Sequence, residues 1–172
     1  MPGRLPYARA GMSKHHTVAP VEALLWSGDM LRGRVDISRN MDGGPIVLAV
    51  IDLVEEEVRA SAHAVRAVIE ERFRLSEMSG DDVLKLRELT SLADELGEPG
   101  PEGAIRTLVF SPARLNLCRD GLDAFARSRD EAEWIRELDR EPLARIRELL
   151  PALDELSEEA VRAAISPEAR PC

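Results

Sequence analysis

The stretch from Pro45 to Ser76 constrains the fold of this chain most. Val47, Ile51, Val54, Val58, Ser61, Val65, Val68, Arg72 and Leu75 follow one another in alternating steps of four and three residues. That spacing keeps one seam of an α-helix turned towards a partner. Ser61 and Arg72 are its two weak positions. Ile46, Val50, Leu53, Ala62, Ile69 and Phe73 widen the seam to the breadth of a bundle face. Asp42 supplies a cap, and Pro45 fits a first turn, where no amide hydrogen is missed. About thirty residues of helix would make a rod roughly 45 Å long. The alternative is a β-branched strand over Ile46–Ile51 that feeds a helix at Glu55. Asp52–Glu55 contains no Gly, Pro, Asn or Ser to turn the chain, so one continuous helix over about 45–76 is the favoured reading.

The expected fold class is therefore all-α: a helical bundle with a coiled-coil-like seam, built around that helix, with shorter Pro-punctuated helices packed on it. The seam proper is Val47, Ile51, Val54, Val58, Val65 and Val68, and it is the candidate interaction surface. Aromatic residues make up only 3% of the chain, so the core must be Leu, Val, Ile and Ala, a palette suited to helix packing. At 172 residues, 44% hydrophobic and 32% charged, the chain has enough apolar material for one domain. Residues 20–165 are expected to form that domain. Residues 1–19 read as a disordered basic arm and residues 166–172 as a disordered tail. Met1 and Met12 are both admissible starts.

Among the 23 basic residues only Lys14 and Lys85 are lysine, a bias expected of a GC-rich bacterial genome. The net charge is −9, and most arginines alternate with acids on the expected helices. That pattern describes a solvated, ion-paired face and argues against a nucleic-acid partner. No apolar run approaches the ~18 residues of a membrane span. Met1–Pro20 lacks the apolar core of a signal peptide. A cytoplasmic location is the default expectation.

Several local signals punctuate the chain. Val21–Leu31 suggests a short helix carrying Trp26. Arg34–Ser38 alternates like a short strand or extended connector. Asp36, Ser38, Asn40, Asp42 and Gly43 resemble the opening of a calcium loop. In neither register does a Glu fall at the twelfth position, so a polar turn is expected there instead. Ser79 and Asp82 resemble a capping box, and Gly97 and Pro99 end the helix beyond it. Ile105–Phe110 reads as either strand or helix. Ser111–Pro112 is an N-cap with Pro at N1. Ser128 and Glu131 suggest a second capping box ahead of Trp134, Ile135 and Leu138. Pro142 and Pro151 are expected to divide Glu141–Ile165 into short angled helices. Leu86–Leu96 echoes Ile146–Leu156 over about a dozen residues, too short for a true repeat.

The chain carries few residues suited to catalysis. The three histidines are His15, His16 and His63; the first two sit on the arm, and His63 lies off the seam as a surface or boundary residue. No Glu-x-x-His pair, zinc-type spacing, P-loop, dinucleotide fingerprint or nucleophile elbow is present. Cys118 falls on the apolar stripe of Leu115, Leu122 and Phe125 and reads as a buried hydrophobe; Cys172 is the last residue. No catalytic residue, metal or cofactor is expected. The leading reading is a non-enzymatic interaction module, a small adaptor or accessory subunit expected to self-associate, whose partner is another protein or a second copy of itself. One alternative is a small-molecule or enzymatic site lined by Trp26, Trp134 and Cys118. The other is a nucleic-acid-associated regulator acting through the basic arm.

Overall fold

The computed structural model of the chain describes residues 32–73, 79–98 and 100–165. The expectations for the arm at 1–19, the tail at 166–172 and Trp26 lie outside these residues. In order, the elements are β1 (Arg32–Arg39), β2 (Pro45–Val54), α1 (Glu55–Phe73), α2 (Gly80–Gly97), β3 (Ile105–Phe110), α3 (Pro112–Asp130) and α4 (Glu137–Ile165). The fold is thus mixed α/β and not the all-α helical bundle or coiled coil that the seam suggests. Three antiparallel strands form one sheet in the order β1-β2-β3.

The continuous helix expected over about 45–76 is not formed. Pro45–Val54 is a strand and the helix begins only at Glu55. Val47, Ala49, Ile51 and Leu53 are buried, which is the two-residue alternation of a strand with one face on the core. A four-residue step satisfies both the helical and the strand period, so Val47 and Ile51 could not tell them apart. Val54, three residues on, lands on the opposite face of the sheet. No turn residue is needed because the chain runs straight from strand into helix. The Val54 amide donates to Glu57 Oε2 at 2.9 Å, a side-chain cap at the helix start. Glu55, Glu56 and Glu57 place three negative charges at the positive end of the helix dipole.

β1 joins β2 through a tight turn at Asn40–Gly44, where the calcium-like spacing lies. The Asn40 carbonyl accepts from the Gly43 amide at 3.0 Å, and Asn40 Oδ1 accepts from Gly44 at 2.7 Å. Gly43 has φ +80°, a conformation that disfavours any side chain. β3 pairs with β2 from Ala49↔Phe110 to Val54↔Ile105 and returns to the sheet only after α1 and α2.

The helices cover one face of the sheet. α4 lies across β1 and β2, while α1 and α3 pack against β2 and β3; α2 sits outside, on α1 and α3. α4 approaches β1 so closely that a Cβ on Gly33 would lie 3.0 Å from Leu156. The opposite face leaves Ile46, Ile105 and Val109 exposed.

Two capping signals hold in the structure. Ser79 and Asp82 form a reciprocal capping box, and Ser111 caps α3 with Pro112 in its first turn. Two other expectations fail. Ser128 lies inside α3 and donates to the Phe125 carbonyl rather than starting a helix. α4 runs unbroken through Pro142 and Pro151. Its buried row of Leu143, Ile146, Leu149, Leu153, Leu156 and Ala160 is continuous. Neither proline belongs to that row, and Pro151 is exposed, so the helix accommodates the rings away from its packed side. Among the described residues, no helix is long and apolar enough to cross a membrane.

Val58 is completely buried in α1. Val58→Asp should lower unfolding stability by at least about 3 kcal/mol, since the carboxylate has no partner there. Val109→Thr, on the open face of the sheet, should change it by less than about 0.5 kcal/mol. Urea denaturation compares the two, and equal midpoints would place Val58 outside the core.

Candidate functional site

The six seam residues divide between two elements. Val47, Ile51 and Val54 are on β2; Val58, Val65 and Val68 are on α1. All but Val54 are buried against the chain's own core, and Val54 is half-buried. They present no continuous exposed seam. The three-residue lining of Trp26, Trp134 and Cys118 is not assembled either. Trp26 is outside the described residues, Trp134 is 71% exposed, and Cys118 is buried on α3.

Two charged clusters hold the molecule together instead. The first is at the start of α1. Glu55 is 1% exposed, and its carboxylate accepts from Arg106 Nη2 at 2.8 and 3.0 Å and from the Gly100 amide at 2.8 Å. Arg106, on β3, also donates to the Glu98 carbonyl. The Glu55 amide donates to the Ala104 carbonyl at 2.8 Å. Every strong group here is paired, so the cluster is structural.

The second cluster centres on Asp139, in the first turn of α4. Asp139 is 0% exposed. Its Oδ1 accepts from His63 Nε2 at 2.7 Å; its Oδ2 accepts from Arg129 Nε and Arg136 Nε, each at 2.9 Å. Burial would push the carboxyl up, but the hydrogen bonds from His63, Arg136 and Arg129 outweigh it and hold the group below the ordinary aspartate value. Arg129 also donates to Glu71 and to Ser128, and its guanidinium lies 4.7 Å above the Phe125 ring. His63 meets the same ring edge-on at 5.9 Å. α1, α3, α4 and the connection at 131–136 are thus tied at one point.

A cleft of about 370 Å³ opens beside this cluster. Its floor is Arg129 and Asp139; its walls are Ala67, Glu70 and Glu71 of α1 and Ala132, Trp134 and Arg136 of the connection. A second hollow of about 440 Å³ lies between α3 and α4, around Asn116, Ser157 and Arg162. It adjoins the end of the described chain at Ile165.

Among the described residues neither cluster offers an activated nucleophile: the Ser128 hydroxyl donates to the Phe125 carbonyl and accepts from Arg129. Ser61, two residues before His63, is buried and its hydroxyl has no partner among the described residues. The Cys118 thiol is pushed up to about 12 by desolvation, so it stays protonated and unreactive near neutrality. Among the described residues no group of acids, histidines and cysteines could hold a metal ion.

Sequence reasoning places His63 at the surface or at a boundary, and it is half-buried. It gives no sign of Asp139, which stands 76 positions away among many other acids. An Asp three residues into a helix is otherwise ordinary N-terminal charge. Comparison with known proteins found no match: no family model fits the chain, and no curated protein or solved structure is significantly similar to it.

Asp139→Asn should lower stability at pH 7 by about 3–5 kcal/mol, because two guanidiniums lose their carboxylate. A carboxyl depressed in the fold contributes stability above its unfolded value of about 3.9 and loses it as pH falls through the folded value. The gap between wild type and Asp139→Asn should therefore narrow below about pH 4. Urea curves at neutral and acid pH measure it, and a constant gap would show that ionisation of Asp139 is not what counts. In a Cys172→Ser background, a thiol reagent should label Cys118 only as fast as the fold opens; labelling at the rate of a free thiol would refute its burial.

Proposed function

We propose that the chain is a non-enzymatic protein-interaction module and that it docks its partner at the cleft beside Trp134. The observation that carries this reading is the indole itself: a large apolar ring, 71% exposed, at the rim of a cleft. Exposed tryptophan of this kind is typical of interface anchors, which supply much of the energy in protein contacts. Leu138, four residues on, is another large apolar side chain left 60% exposed.

The ring is carried on a fixed platform. Arg136 and Asp139 bind each other just beyond it, through both side chains and through the Asp139 amide, which donates to the Arg136 carbonyl at 2.9 Å. Holding the connection in place reduces the ordering that association would otherwise require. Neither nearby hydroxyl is paired with His63: Ser128 donates to the Phe125 carbonyl and Ser61 has no partner among the described residues, which favours binding over catalysis. The partner can equally be a second copy of the chain; the buried valines offer it no surface, so it too would meet the cleft.

Trp134→Ala should keep the melting temperature within about 2 °C of wild type, as expected for an exposed side chain. In matched captures from cells that make the protein, it should retain at least about tenfold less of the partner. Leu84→Ala, at an exposed position on α2, should change neither quantity. Equal retention by Trp134→Ala would sink the proposal.

A further inference from the structure

The cleft carries more carboxylate than guanidinium. Its lining sets Glu70, Glu71 and Asp139 against Arg129 and Arg136, which leaves one negative charge over. Both guanidiniums are engaged from within: each donates through Nε to Asp139, and Arg129 also binds Glu71. An incoming anion would meet arginines already neutralised, beside two acids. Glu70 differs from its neighbours, being exposed and without a hydrogen bond or ion pair to the described residues. The chain's own stacked cation uses Phe125, which leaves the Trp134 ring uncovered. Glu131 and Glu133 are exposed on the same connection and strengthen the negative potential around the ring.

An exposed indole beside a carboxylate that has no partner among the described residues is the pattern that receives a cationic side chain. Resting on the docking reading above, we infer that the cleft takes an arginine or lysine side chain of the partner, stacked on Trp134 and paired with Glu70. Arginine suits it better, since a planar guanidinium can lie on the ring and bind a carboxylate with two parallel hydrogen bonds.

The test uses the full chain labelled with nitrogen-15 and tracks the Trp134 indole N–H, assigned with Trp26→Phe. Three neutral-flanked pentapeptides are titrated, identical except for Arg, Glu or Leu at the centre. The Arg peptide should shift the indole saturably, and added salt should weaken it. Glu70→Gln should melt like wild type and bind that peptide about two- to fivefold more weakly. Equal affinity in Glu70→Gln would overturn the cationic assignment. A saturable indole shift with the Glu or Leu peptide, as strong as with Arg, would also overturn it while leaving Trp134 as a docking anchor. If none of the three moves the indole, both the assignment and the docking site fall.

Discussion

The pair of buried Glu55 and half-buried Arg106 is the contact on which the architecture turns. It stands where strand becomes helix in β2–α1, and it reaches across to the first residues of β3 and to the chain leaving α2. A charged carboxylate at 1% exposure is tolerable only when its partners are all present. The pair therefore makes the start of α1 and the distant 98–106 stretch mutually dependent. A Cβ on Gly100 would fall 2.5 Å from Glu55 Oε2, so the backbone itself is drawn in to complete the shell. Hydrophobic burial drives the collapse, but it does not choose among similar arrangements. A buried ion pair with one satisfied geometry does.

The Asp139 cluster plays the matching part at the far end of α1. Between the two, α1 is pinned at both ends by charge and along its length by apolar packing. The difference lies in what surrounds them. The Glu55 shell is closed by backbone and leaves nothing to offer. The Asp139 shell leaves a cleft at its margin, with an exposed ring over it. Rigidity borrowed from the cluster and accessibility at its edge are what a recognition surface needs together.

How far the sequence discloses this depends on the range of the interaction. Ser79 with Asp82, and Ser111 with Pro112, are legible because the whole contact is contained in four residues. The apolar alternation of β2 is present, but Val47, Ile51 and Val58 fit a helical spacing equally well, and the strand reveals itself only through pairing with β1 and β3. Pro142 and Pro151 mislead because local cost is visible in sequence, whereas the long buried face of α4 that outweighs it is not. The candidate site is the least legible. Trp134 stands out, but in the company of Cys118, which is buried elsewhere; Asp139, Arg129 and Glu71 come from three helices, and nothing local links them.

The position of β2 at the centre of the sheet has a consequence for biosynthesis. One neighbour, β1, precedes it by a short turn; the other, β3, comes about fifty residues later. At a synthesis rate of ~5–20 residues per second, the second edge of β2 stays unpaired for roughly 3–10 s after the strand emerges. Pro-Ile-Val-Leu-Ala-Val-Ile-Asp-Leu-Val carries a single charge, at Asp52, and is apolar on both faces. For that interval it is a template for any other nascent strand. The burden of avoiding mispairing during translation falls on Asp52, on Pro45 at one end and on the three glutamates at the other.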